Sequence, residues 1–100
     1  MTNAVKFLYK LMPETLNASY EVYRGAVVCA RSPEEARLTH PDGKSIWDEA
    51  IQQWKRLGWD QQYRETERSW TAPKNVKVLE IGEAHAWLKV GPVVTSFHNA

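Results

Sequence analysis

The chain has one cysteine, Cys29, in its 100 residues. No disulfide can form within it, and a lone thiol fits a reducing compartment such as the cytoplasm. Glycine and proline are scarce, at five each, and no glycine falls in a G-x-G-x-x-G or P-loop arrangement. That removes the usual backbone cradle for phosphates. No run approaches the ~20 apolar residues of a membrane span. In "MTNAVKFLYKLMPE" the apolar stretch is broken by Lys6 and Lys10, unlike a signal peptide. Neither sign of charge dominates: thirteen basic residues oppose twelve acidic ones, for a formal net charge of +1. Duplex nucleic acid is captured by strongly basic faces, so it is not an expected partner. These absences predict a soluble intracellular protein, without cofactor or membrane contact.

Aromatic residues are abundant instead. Five tryptophans and four tyrosines can each bury roughly 150–250 Å², a useful load for a chain that forms one small domain. The expected architecture is α+β, a single domain over residues 1–100 with a mainly antiparallel four-stranded sheet packed with two helices. In "AVKFLYKLM", Val5, Phe7, Tyr9 and Leu11 alternate with Lys6, Leu8, Lys10 and Met12, the period of a half-buried strand that Pro13 stops. "GAVVCAR" is apolar on both faces, as a central strand is. "VKVLEIG" and "PVVTSFH" supply two more. The last of these ends in "SFHNA", and a chain end tied into a sheet belongs to a compact unit. Val93, Thr95 and Phe97 are expected to face inward, with Val94, Ser96 and His98 outward.

Two helices are predicted from capping signals. Ser32 is a natural N-cap followed by Pro33 and by Glu35 at N3, and Pro41-Asp42-Gly43 closes that helix in a turn. Ser45 and Asp48 suggest a second capping box. Trp47, Ala50, Ile51, Trp54 and Leu57 then recur at helical spacing, with Gly58 as the end signal. The middle segment at about 45–70 is therefore expected to be an enlarged helical region.

Catalysis has little support in the residues. Cys29 lies between Val28 and Ala30 in a buried strand, whereas a reactive thiol needs a partly exposed, electropositive setting. Ser96 and His98 share a strand face, but no orienting acid is identifiable. The histidines at 40, 85 and 98 have no metal-ligand spacing. Glu34-Glu35 and Asp48-Glu49 stand where first helical turns favour acids. The chain is expected not to be an enzyme and to hold no metal.

The constellation that invites a partner is "WKRLGWDQQYRETERSWTAPK". It interleaves aromatics with basic groups, and the candidate binding residues are Lys55, Arg56, Trp59, Tyr63, Arg64 and Arg68. Aromatic faces stack on bases and guanidinium groups fork onto phosphates. The same residue types are enriched at protein–protein hot spots. The plainer alternative places Trp54 and Trp70 in the core and the charges in solvent.

Three stretches carry a resemblance: "VVCARSPEEARLTHP", "WTAPKNVKVLEIGEA" and "GPVVTSFHNA". In this order they resemble a family of small uncharacterised proteins encoded by bacteriophages and prophages. That family shows a strand, an S-x-E-E-A-R helix, a Trp-led strand ending in I-G-x-A, and a terminal S-F-N-A. The resemblance covers about half of the chain; the middle segment is enlarged here and His98 interrupts the ending. It implies a phage-type accessory protein that binds stoichiometrically, a counter-defence inhibitor blocking a host bacterial defence protein. The alternative is a homo-oligomeric sponge for a nucleotide second messenger. It transfers no catalytic residue.

Overall fold

Alternation builds the main sheet. The computed structural model describes residues 5–14, 22–57, 63–65 and 70–98. Strand β1 (Phe7–Pro13) pairs antiparallel with β2 (Val22–Ala30), placing Phe7 opposite Ala30, Tyr9 opposite Val28 and Leu11 opposite Ala26. Directly opposed residues share a face, so these six form one apolar surface, with Tyr9, Leu11, Val28 and Ala30 buried. A five-residue helix, α1 (Pro33–Arg37), follows. Its cap works as predicted: Ser32 Oγ accepts from Glu35 N at 3.1 Å, and Glu35 Oε1 reaches back to accept from Arg31 N at 2.8 Å. Ala36 is the helix residue that enters the core, and Arg37 donates to the carbonyls of Pro73 and Val76.

The second predicted helix does not form. Residues 46–57 are instead a hairpin, β3 (Ile46–Asp48) and β4 (Gln53–Leu57), extended by β5 (Tyr63–Glu65) into a separate three-stranded antiparallel sheet. The physical reasons are local. Ser45 caps nothing; its N–H and hydroxyl both donate to Asp42. Asp48 closes the hairpin turn, accepting from Ala50 N and Ile51 N while its other oxygen holds Lys55 Nζ at 2.9 Å. Gln52 takes a left-handed conformation, φ 56°, to turn the chain. The supposed apolar stripe divides accordingly: Trp47 and Trp54 face each other across the strands, while Ala50 and Ile51 are exposed in the turn. Among the described residues the helices are α1 and a 3-10 turn at Pro73–Asn75, and of the segment predicted to be helical, residues 58–62 and 66–69 lie outside the described residues.

The turn joining α1 to the hairpin is as expected, with Gly43 at φ 72°. It is built on Asp42. Burial alone would raise the carboxyl's pKa, but the adjacent His40 ring and the hydrogen bonds from Ser45 and Lys44 outweigh it and hold the group well below the usual carboxylate range. Replacing Asp42 by Ala leaves the Lys44 and Ser45 donors without their acceptor. The expected cost at neutral pH is about 1–3 kcal/mol. Because the folded pKa is depressed, Asp42's charge-linked stabilisation is complete above the unfolded value of about 3.9 and is lost as pH falls below it. Denaturant melts should therefore show the gap between wild type and Asp42→Ala closing progressively below about pH 4. A constant gap down to about pH 2 contradicts the assignment.

Strands β6 (Val76–Glu83) and β7 (Gly91–His98) complete the four-stranded sheet in the order β6-β1-β2-β7, all antiparallel. β7 runs along β2 to its last residue, pairing His98 with Val22. The expected burial of β7 does not hold, although Thr95 does face the core side opposite Ala26: Val93 is 41% exposed and Thr95 is exposed as well. Val93 is the extra residue in a register shift between Val27 and Val28, and no described element covers this edge of the sheet. The side chains of Phe97 and His98 lie outside the described residues. The core lies between the Tyr9 face of the main sheet, α1 and the smaller sheet, with Trp54, Trp70 and Val76 joining Tyr9, Leu11 and Val28 in one cluster.

Candidate binding surface

The predicted aromatic and basic constellation is divided by the fold. Trp54 is fully buried, its indole N–H donating to Thr71 O at 2.8 Å, and Trp70 is buried too. Two of its rings are therefore core, as the plainer alternative had it. Lys55 is engaged with Asp48 across the hairpin. Arg56 is exposed and stands opposite Arg64 in the β4–β5 register, with Tyr63 opposite Leu57. The side chains of Tyr63 and Arg64 lie outside the described residues, as do Trp59 and Arg68 entirely. The Arg56 charge also reaches the Tyr23 phenol, whose pKa burial and Asp42 push up while Arg56 opposes them.

Three polar residues outside that segment come together: His40, Asp42 and Ser45. His40 is buried, with its ring edge-on to Trp54 at 5.1 Å and to Tyr23 at 5.9 Å. The trio has the composition of a hydrolase triad and the wrong connectivity. The Ser45 hydroxyl donates to Asp42, and His40 Nδ1 accepts from the Asp42 backbone N–H at 3.0 Å, so the histidine does not activate the serine. The group knits a turn. The Cys29 thiol is packed, as expected, and its neighbour is the Leu88 carbonyl at 3.9 Å, which is no general base. Ser96 is exposed, and no cluster of three metal-ligating side chains exists among the described residues. Among those residues, too, no helix is long and apolar enough to cross a membrane.

Among the described residues the most exposed aromatic ring lies outside every motif of the sequence. Residues 84–90 connect the two edge strands across one end of the main sheet, and Trp87 stands on this loop 89% exposed. Tryptophan is highly buried on average, so a ring this exposed stands out. It does not sit on a loose strap. Ala84 N donates to Lys6 O at 2.8 Å, Leu88 N donates to His85 O at 2.9 Å, and Trp87 N donates to His85 Nδ1 at 3.2 Å. The His85 ring meets Trp87 edge-on at 5.0 Å. Lys6 Nζ donates to Ala86 O at 3.0 Å and also to Leu88 O. Lys6 is thus a clamp that holds the loop from the other end of the chain. Beneath it opens a cleft of about 530 Å³ lined by Val5, Lys6, Arg31, Glu83, Ala84 and Val90.

A rigid aromatic beside a cleft with both charge signs suits the anchor-and-pocket arrangement of protein interfaces. It has no signal in the local sequence, because Lys6 lies some eighty positions upstream. Compared with family models, curated proteins and solved structures, the chain matches none.

Proposed function

We propose that this chain is a phage-type accessory protein that acts in the host bacterial cytoplasm by stoichiometric binding, a counter-defence inhibitor that blocks a host defence protein. The observation that carries the binding reading is the clamped loop presenting Trp87 beside its cleft. Ordering costs oppose binding, and a loop already held by Lys6, His85 and the β1 backbone has met most of them. The phage-type origin rests on the resemblance of the three quoted stretches. The binding reading needs no catalytic group.

The test is biological. Expression of the protein should restore plaque formation by a phage that a resident defence system otherwise blocks, and Trp87→Ala should lose that protection. Truncating an interfacial Trp anchor costs about 2 kcal/mol or more, roughly thirtyfold in affinity. Because the side chain is exposed, the melting transition should be unchanged within about 0.5 kcal/mol. Full protection by Trp87→Ala removes the loop from the interface.

One observation favours the nucleotide-sponge alternative. Like charges directly opposed on neighbouring strands repel, and an anion between Arg56 and Arg64 would offset that. Native mass spectrometry with a panel of linear and cyclic nucleotides decides it. A nucleotide adduct lost in Arg56→Ala supports the sponge, with Trp59 and Arg68 the next positions to vary; an unshifted mass removes it.

A further inference from the structure

The main sheet has two faces, and among the described residues one is left open. Register places Leu8, Lys10 and Met12 of β1, Gly25, Val27 and Cys29 of β2, and Lys77 and Leu79 of β6 on the side away from the core. Val94 and Ser96 of β7 continue that surface. Leu79 is 54% and Val94 62% exposed, at opposite margins of the face. Only its Cys29 end is covered, because Leu88 of the Trp87 loop lies against that thiol. The open face therefore begins where the clamped loop ends.

Its shape and charge are specific. A groove of about 330 Å³ runs over the middle, lined by Lys10, Met12, Arg24, Val27, Val94 and Ser96. Gly25 forms its floor: a Cβ there would meet Leu11 O at 3.0 Å. Among the described strand residues, the ionisable groups on this side, Lys10, Arg24 and Lys77, are all basic. The carboxylates of β6 are elsewhere, since Glu80 pairs with Tyr9 and Glu83 with Phe7 on the core-facing side. An overall charge of +1 thus conceals a face of one sign. Aromatic rings, on which single-stranded nucleic acid stacks, are absent from it among the described residues.

The geometry points to an acidic amphipathic helix of a partner protein as the occupant of this face. An apolar sheet surface is ordinarily buried by helices. Four strands spaced ~4.8 Å apart span about 14 Å, enough to seat one helix of ~10–12 Å diameter. The helix's aliphatic stripe would cover Met12, Val27, Leu79 and Val94, and its flanking Glu and Asp would meet Lys10, Arg24 and Lys77. This rests on the stoichiometric-binding reading and adds the partner's chemistry to it.

The test titrates the full chain with four probes: a synthetic helix with a Leu/Ile stripe flanked by Glu, the same peptide with Lys for Glu, a single-stranded oligonucleotide, and anionic phospholipid vesicles. Saturable binding of the acidic helix alone is expected, weakening with salt. Lys10→Glu with Lys77→Glu should reduce its affinity about tenfold or more, while thermal melts stay unchanged because both side chains are exposed. Val94→Asp should act likewise without altering any basic residue. Equal binding of the basic helix, binding of only the oligonucleotide or vesicles, or undiminished affinity in all these variants overturns the proposal. The plaque assay separates the two levels. Protection lost by Trp87→Ala without helix binding removes the open face alone, whereas helix binding without protection removes counter-defence alone.

Discussion

Trp54→Ala should come close to unfolding this protein. Trp54 is where the two sheets become one core: its ring meets His40 at 5.1 Å and Trp47 at 5.3 Å, both edge-on, and its N–H donates to Thr71 O. It belongs to a domain of 100 residues, a size at which total stability is about 5–15 kcal/mol. Removing a fully buried Trp side chain costs about 3–5 kcal/mol, from lost transfer energy and the cavity left behind. At about 4–8 °C per kcal/mol for a domain this small, the midpoint should fall by about 15–30 °C. Trp54→Phe keeps much of the apolar volume but loses the N–H, leaving Thr71 O without that donor, and should cost less than the alanine. Circular dichroism melts of the three proteins read this ordering. An alanine variant that melts within a few degrees of wild type would mean that the smaller sheet is not coupled to the larger one.

What the sequence disclosed, and what it hid, follows from how far each signal reaches. The four main strands are legible because one-sided burial imprints period two on β1, and two-sided burial imprints a continuous apolar run on β2. The α1 helix is legible because its cap is made by residues three apart. The β3–β4 hairpin is not. Trp47 and Trp54 are seven apart, which is two turns of a helix and equally a cross-strand pair around a four-residue turn. An Asp three residues beyond a Ser serves a capping box or an Asx-type turn alike. Tertiary packing of Trp54 decided between them.

The binding surface was harder still to read. Trp87 sits in "EAHAWLKVG", whose composition says connection and nothing more. What makes it an anchor is a lysine at the far end of the sequence, together with Leu88 lying against Cys29. Conversely, the segment richest in Trp and Arg surrendered Trp54 and Trp70 to the core. The open sheet face was partly legible in its residues, since Leu8, Lys10 and Met12 alternate with Phe7, Tyr9 and Leu11 along β1. Its single charge sign required the register of all four strands.

Deleting Val93–Ala100 should abolish the folded state, although the exposed side chains it removes are worth little individually. Val94→Ala or Thr95→Ala should each stay within about 0.5 kcal/mol of wild type, as exposed positions do. The contribution of β7 is its ladder, which pairs β2 from Val22 to Cys29. β2 in turn carries Ala26, Val28 and Ala30, three of the buried core residues. Without β7, β2 becomes the edge of a three-stranded sheet, presenting an uncharged run from Gly25 to Ala30 and a row of unpaired backbone groups. Long apolar edges of that kind promote aggregation. The loss also frees the loop at Val90, so Lys6 would hold a segment anchored at one end only. The truncated chain should therefore lack a cooperative melting transition and show rapid amide exchange throughout β2. A truncated protein that melts as wild type does would overturn the assignment, and with it the view that backbone pairing, not side-chain burial, makes this last strand structural.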